Sequence, residues 1–159
     1  RQVGMSELVG TPVGRIGMAR CDDGWCPEAD RLGGLQGAES VCVPTNWVPI
    51  PGQEASREAM ANILVMAAAH SKSSFIAPAD RVGTERGQPF VGQSMIASYT
   101  GWPIAGPASA TDEQIIYADL DLAEARRARN WNDYNQPLRD RRIDVYGAML
   151  GADVKPGWH

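Results

Sequence analysis

The chain has 159 residues, 43% of them hydrophobic and 21% charged, with fifteen Lys+Arg against nineteen Asp+Glu. That is one domain's worth of ordinary globular composition, which excludes wholesale disorder. A formal charge of -4 argues against a dedicated binder of nucleic-acid backbones, and the longest apolar run, Ile63 to Ala69, is too short to span a membrane. Neither nucleic acid nor membrane is expected as a partner.

The opening residues Arg1-Gln2-Val3-Gly4 carry no signal-peptide pattern. Three cysteines (Cys21, Cys26 and Cys42) are an odd count, which argues against a secreted disulfide framework and for a reducing, cytoplasmic setting. With only His70 and His159 to join them, no metal site is read, and no cofactor is expected.

In chain order, Val13–Ala19 reads as a strand running up to Cys21. Pro27 suits a first helical turn, and the helix continues to Gln36 and stops at Gly37. Ser40–Val43 is a short buried strand bounded by Pro44. A loop rich in Pro and Gly, residues 45–55, carries Asn46 and Trp47. Ser56 is the expected N-cap of the longest helix, Arg57 to His70, whose apolar residues spread around it and imply burial on most sides. Ser74–Ala77 returns as a strand, followed by a polar loop through Gly87. Two further strands, Ser94–Tyr99 and Ile115–Leu120, flank a turn at Thr100–Pro103. Leu122–Arg129 reads as a polar helix and Arg139–Leu150 as a terminal one. Strands alternating with helices imply an α/β layered fold.

Cys21 is the residue with most chemical promise. It ends a strand just before a helix start, where a side chain projects clear of a sheet, near N–H groups that favour negative charge. That position suits a thiolate nucleophile; the alternative is a buried cysteine acting as a small hydrophobe. Cys26 and Cys42 read only as the latter. His70, at the end of an alanine-rich helix, reads better as a capping or packed imidazole than as a base. Only two lysines exist, Lys72 and Lys155. Arginines at 126, 127, 129, 139, 141 and 142, with Trp131 and Tyr134, are interleaved with acids and suit a protein–protein contact.

Taken together, six segments resemble the carbon–nitrogen hydrolase (nitrilase) superfamily, closest to its aliphatic amidase and nitrilase-like members. They are Gly17–Glu28 around Cys21, Leu35–Glu39, Val43–Trp47, Ala79–Gly83, Phe90–Ile96 and Leu138–Tyr146. The resemblance implies the C-terminal half of a four-layer α-β-β-α sandwich with mixed sheets and flanking helices. Residues 1–150 would form this partial domain and 151–159 a tail. It implies hydrolysis of a small amide or nitrile through a Cys21 thioester, aided by a Glu and a Lys that precede the nucleophile in the family. Glu7 stands too near Cys21 to be that Glu, and Lys72 follows the nucleophile. A backbone N–H near Asp22 would stabilise the oxyanion; Trp25, Asn46 and Trp47, placed at the same carboxyl end of the sheet, either surround the acyl group or pack the loop. Arg20, Asp22 and Cys26 depart from the family's residues. The partner would be a complementing N-terminal half or further copies in a homo-oligomer. The alternative is a non-catalytic binding or assembly module retaining half of the sandwich, with one sheet face left open.

Overall fold

The computed structural model describes residues 8–52 and 58–146. A six-stranded sheet is its frame, running across Val9–Thr11, Gly14–Met18, Ser40–Thr45, Phe75–Asp80, Ile96–Ala97 and Pro103–Ala105 in that order. β1 (Val9–Thr11) turns back antiparallel onto β2 (Gly14–Met18). β2, β3 (Ser40–Thr45) and β4 (Phe75–Asp80) run parallel, with Met18 beside Cys42 and Thr45 beside Asp80. β7 (Ile96–Ala97) and β8 (Pro103–Ala105) complete the sheet antiparallel, so it is mixed, as expected. A separate hairpin of β5 (Thr84–Glu85) and β6 (Gln88–Pro89) stands in the loop after β4.

The parallel connections are helical. α1 (Pro27–Gln36) opens on its proline and closes at Gly37, whose φ of +96° is a left-handed cap that glycine adopts without strain. α2 spans Met60–Lys72. It covers one face of the sheet, burying Ala61, Val65, Ala68 and Ala69 against Val41, Val43, Ile76 and Ala97. α1 packs on α2, where Gly34 lies against the Lys72 side chain. On the other face, α3 (Leu122–Arg127), capped by the Asp121 carboxylate, packs Leu122 and Ala125 on Phe75 near the amino end of the strands. Towards the carboxyl end that face is open: Met18 is 49% exposed, and Cys42, Pro44 and Ala79 are exposed with it.

Several expectations need correction. α2 is buried on one side only, with Met60 and Ile63 on its open side, because a single layer can cover a single face. It begins at Met60 behind Ala59, and the expected cap, Ser56, lies outside the described residues. The hairpin partner of β7 is Pro103–Ala105, which starts at the last residue of the expected turn, and not Ile115–Leu120. That later segment has no strand assignment, and Ile115 and Tyr117 are 75% and 81% exposed. A strand needs a ladder partner, and no described strand pairs with this segment, although Leu120 packs against the Phe75 cluster. Of the expected terminal helix, only α4 (Ile143–Tyr146) is helical among the described residues, since 139–142 are turn and coil; residues 147–159, the tail 151–159 included, lie outside the described residues.

Candidate active site

β2, β3 and β4 deliver three short stretches to one end of the sheet, the carboxyl end where open α/β sheets form their crevices. The sheet register continues past β2, since the Ala19 N–H donates to the Cys42 carbonyl at 3.0 Å. The chain then enters a 3₁₀ turn, Cys21–Trp25, through an extended Arg20. The Asp23 carboxylate accepts the Arg20 N–H at 2.8 Å while the Asp23 N–H donates to the Arg20 carbonyl at 2.7 Å. This reciprocal cap fixes the entry angle. Arg20 and Asp22 are exposed, so the unusual guanidinium costs no burial.

Cys21 has a φ of +29°, a backbone conformation that non-glycine residues seldom adopt. Such strain persists only where surrounding contacts over-determine it. Those contacts come from Trp47, whose indole Nε1–H donates to the Cys21 carbonyl at 3.2 Å. The Trp25 ring meets the Trp47 ring edge-on, centroids 6.3 Å apart. A β-carbon on Gly24 would approach the Trp47 ring to 3.3 Å, so the turn lies close over the indole. Cys21 itself is half-buried, and all three cysteines are free thiols. The N–H groups of Cys21 and Asp22 precede the first hydrogen bond of the turn.

Trp47 is 3% exposed and sits beneath the Cys21 turn as a wedge. Its own backbone is held from both sides: its N–H donates to Asp80 Oδ1 at 2.8 Å, and its carbonyl accepts the Val91 N–H at 2.9 Å. Asp80, at the end of β4, lies in the resembling segment Ala79–Gly83, yet sequence reasoning gave it no role. Burial pushes its pKa up to about 6, against the opposing effect of hydrogen bonds from the Trp47, Arg81 and Gly92 amides. Its Oδ2 is buried with no partner among the described residues, as is Oγ1 of Thr45, its neighbour across the β3–β4 ladder. The available signal was its place at a strand end level with Thr45, two residues before Trp47. Of the other residues singled out, Trp25 is half-buried in the same cluster, and Asn46 is exposed beside Trp47.

The two candidate bases and cations of α2 are engaged elsewhere. His70 Nδ1 lies 3.1 Å from the Thr100 carbonyl in the β7–β8 turn and its ring packs on Trp131, so it is the packed imidazole of the two expected and not a cap of α2. Lys72 is buried; desolvation lowers its pKa, partly offset by Asp30 on α1, whose own carboxyl burial raises to about 6. Glu7 and Lys155 lie outside the described residues.

Comparison with known proteins shows the family and the fold. The family described as carbon-nitrogen hydrolase matches residues 2–130, and the chain belongs to it. The matched stretch is the N-terminal part of the chain; Leu138–Tyr146, one of the six resembling segments, lies beyond it. A nitrilase of Pyrococcus abyssi is 34% identical over 133 residues, covering 83% of this chain and 46% of the relative. An N-carbamoylputrescine amidase of Arabidopsis thaliana is 34% identical over 155 residues, 90% of this chain and 50% of the relative. The crystal structure of a carbon-nitrogen hydrolase from Helicobacter pylori G27 superimposes with a TM-score of 0.78 at 28% identity, covering 92% of this chain and 53% of the other. The chain thus spans about half the length of the curated relatives it matches. No helix among the described residues is long and apolar enough to cross a membrane.

Proposed function

We propose that the chain is the nucleophile-bearing half of a sandwich that hydrolyses a non-peptide C–N bond in a small amide or nitrile. With an amide, the Cys21 thiolate adds to the carbonyl carbon, and the C–N bond breaks as the nitrogen takes a proton and leaves as ammonia. The resulting thioester is attacked by water, releasing a carboxylic acid and restoring the thiol. The N–H groups at Cys21 and Asp22 are the oxyanion donors from this half, and Trp25 and Asn46 border the acyl group. The general base and the cationic donor come from the complementing half, in the same polypeptide or another. Removing one oxyanion donor typically costs about 2.7–4 kcal/mol in the transition state, so the lone half is expected to turn over very slowly.

The observation that carries this reading is the Cys21 backbone, strained at φ +29° and pinned through its carbonyl by the Trp47 indole. The open carboxyl half of the outer sheet face supports the need for a complement, since Met18, Cys42, Pro44 and Ala79 are left to solvent. The test is complementation: the missing half is added in trans, and ammonia release from short aliphatic amides and nitriles is measured. Release that depends on both halves and is lost in Cys21→Ala is expected. No release above the Cys21→Ala control, with the two halves shown to associate, overturns the proposal in favour of a non-catalytic module.

A further inference from the structure

The opposite, amino end of the sheet carries a cavity of about 520 Å³ whose lining includes the β1–β2 turn, Arg15, Glu39, Arg126 and Arg129. In a chain with a formal charge of -4, three guanidiniums around one carboxylate are a local excess of positive charge. Glu39 is buried and fully engaged: Arg126 Nη1 donates to Oε1, and the Arg15 backbone N–H donates to Oε2 at 2.8 Å. Burial acts to raise its pKa, but the bonds from Arg126 and the Arg15 amide, with the charges of Arg126 and Arg129, outweigh it and hold the carboxyl below its usual value. The Glu39 carboxylate is therefore ionised and balanced by Arg126.

That leaves Arg15 and Arg129. A β-carbon placed on Gly37 would stand 2.8 Å from Arg15 Nη1 and 3.8 Å from Arg129 Nη1, so the two guanidiniums flank one point. Among the described residues no carboxylate lies within ion-pair distance of either. Arg129 Nη2 donates to the Ala38 carbonyl, which fixes its plane, while its Nε is buried with no partner among the described residues. The walls are held in place too. Gly14 has no room for a side chain, because a β-carbon there would collide with the Glu39 carboxylate and Leu122. Arg15 is exposed, and two like charges this near, one of them fixed and both with donors to spare, suit a multiply charged oxyanion that accepts from both forks.

We infer that this cavity binds a multiply charged oxyanion, a phosphate group or a polycarboxylate, between Arg15 and Arg129. The site lies at the far end of β2 from Cys21, about 20 Å of extended chain away, and does not depend on the reading of Cys21.

The test is calorimetric titration of the full chain with inorganic phosphate, pyrophosphate and citrate, at ionic strength held constant with chloride. Saturable binding of one anion per chain is expected. Tighter binding of pyrophosphate assigns a phosphate-bearing ligand, and tighter binding of citrate assigns a polycarboxylate. In the double variant Arg15→Gln, Arg129→Gln the affinity should fall at least about tenfold, as expected on losing charge-assisted hydrogen bonds. Arg139→Gln, which alters an exposed pair with Asp140, should bind as the wild type does. Should the double variant fail to fold by circular dichroism, the wild-type chain gives the answer: the anion should protect Arg15 and Arg129 from phenylglyoxal while Arg139 reacts at an unchanged rate. No saturable binding by any of the three anions, equal binding by the folded double variant, or uniform protection of all arginines overturns the inference.

Discussion

The two faces of the sheet are built from the same strands and differ in what covers them. On β3, Val41, Val43 and Thr45 point into the layer under α2 and are buried, while Cys42 and Pro44 on the alternate face are exposed. Ile76 and Ala97 continue the covered face; Met18 and Ala79 continue the open one. The open side nevertheless carries sulfur and hydrocarbon, not charge, which is the composition of a surface that another layer covers. The difference teaches that most of the buried core lies on one face, while the other is covered only at its amino end, by α3 on Phe75.

That asymmetry is broken most severely at Trp47. Trp47→Ala removes a buried ring and the hydrogen bond on the Cys21 carbonyl, and should cost about 3–5 kcal/mol in chemical denaturation. Trp47→Phe keeps much of the volume and loses the indole donor, so the loss should be smaller, about 1–2 kcal/mol. Ile76→Ala on the covered face should cost about 2–5 kcal/mol, whereas Met18→Ala on the open face should stay within about 0.5 kcal/mol. Equal costs at Ile76 and Met18 would mean the open face is covered in solution by a second copy, which sedimentation would reveal.

Asp80 offers a gentler probe. A carboxyl whose folded pKa is raised from its ordinary 3.8 to about 6 binds its proton more tightly folded than unfolded. Its contribution to stability is therefore full below the ordinary value and is lost as the pH climbs through about 6. Asp80→Asn keeps an acceptor for the Trp47 N–H and abolishes the titration. The variant should melt higher than wild type at pH 7, and the gap should close towards pH 4, as followed by thermal melts across the range. Asp30, raised in the same way, contributes a slope of the same sign that this variant leaves intact.

Much of the covered layer was legible in the sequence, because Pro27, Gly37 and the apolar run Ser40–Val43 state their positions by local chemistry alone. The location of Cys21 at a strand end was legible for the same reason. The elements that sequence reading missed or misplaced depend on partners far along the chain. β1 and β8 are three residues each and exist only through their ladders. Ile115–Leu120 has a strand's composition and no neighbour to make it one. Trp47 reads as a pocket or loop-packing residue until its indole is seen under the Cys21 turn, and Asp80, though inside a resembling segment, shows its role only through the Trp47 amide.

The central claim, that the sulfur of Cys21 attacks the substrate carbon, is tested most directly by trapping the intermediate. The chain is mixed with its complementing half and a short aliphatic amide, quenched in acid, and its cysteines are mapped by mass spectrometry. The account predicts an acyl group on Cys21, absent from Cys26 and Cys42 and removed by hydroxylamine. Acylation of Cys26 or Cys42 in its place, or ammonia release that persists in Cys21→Ala, would contradict it.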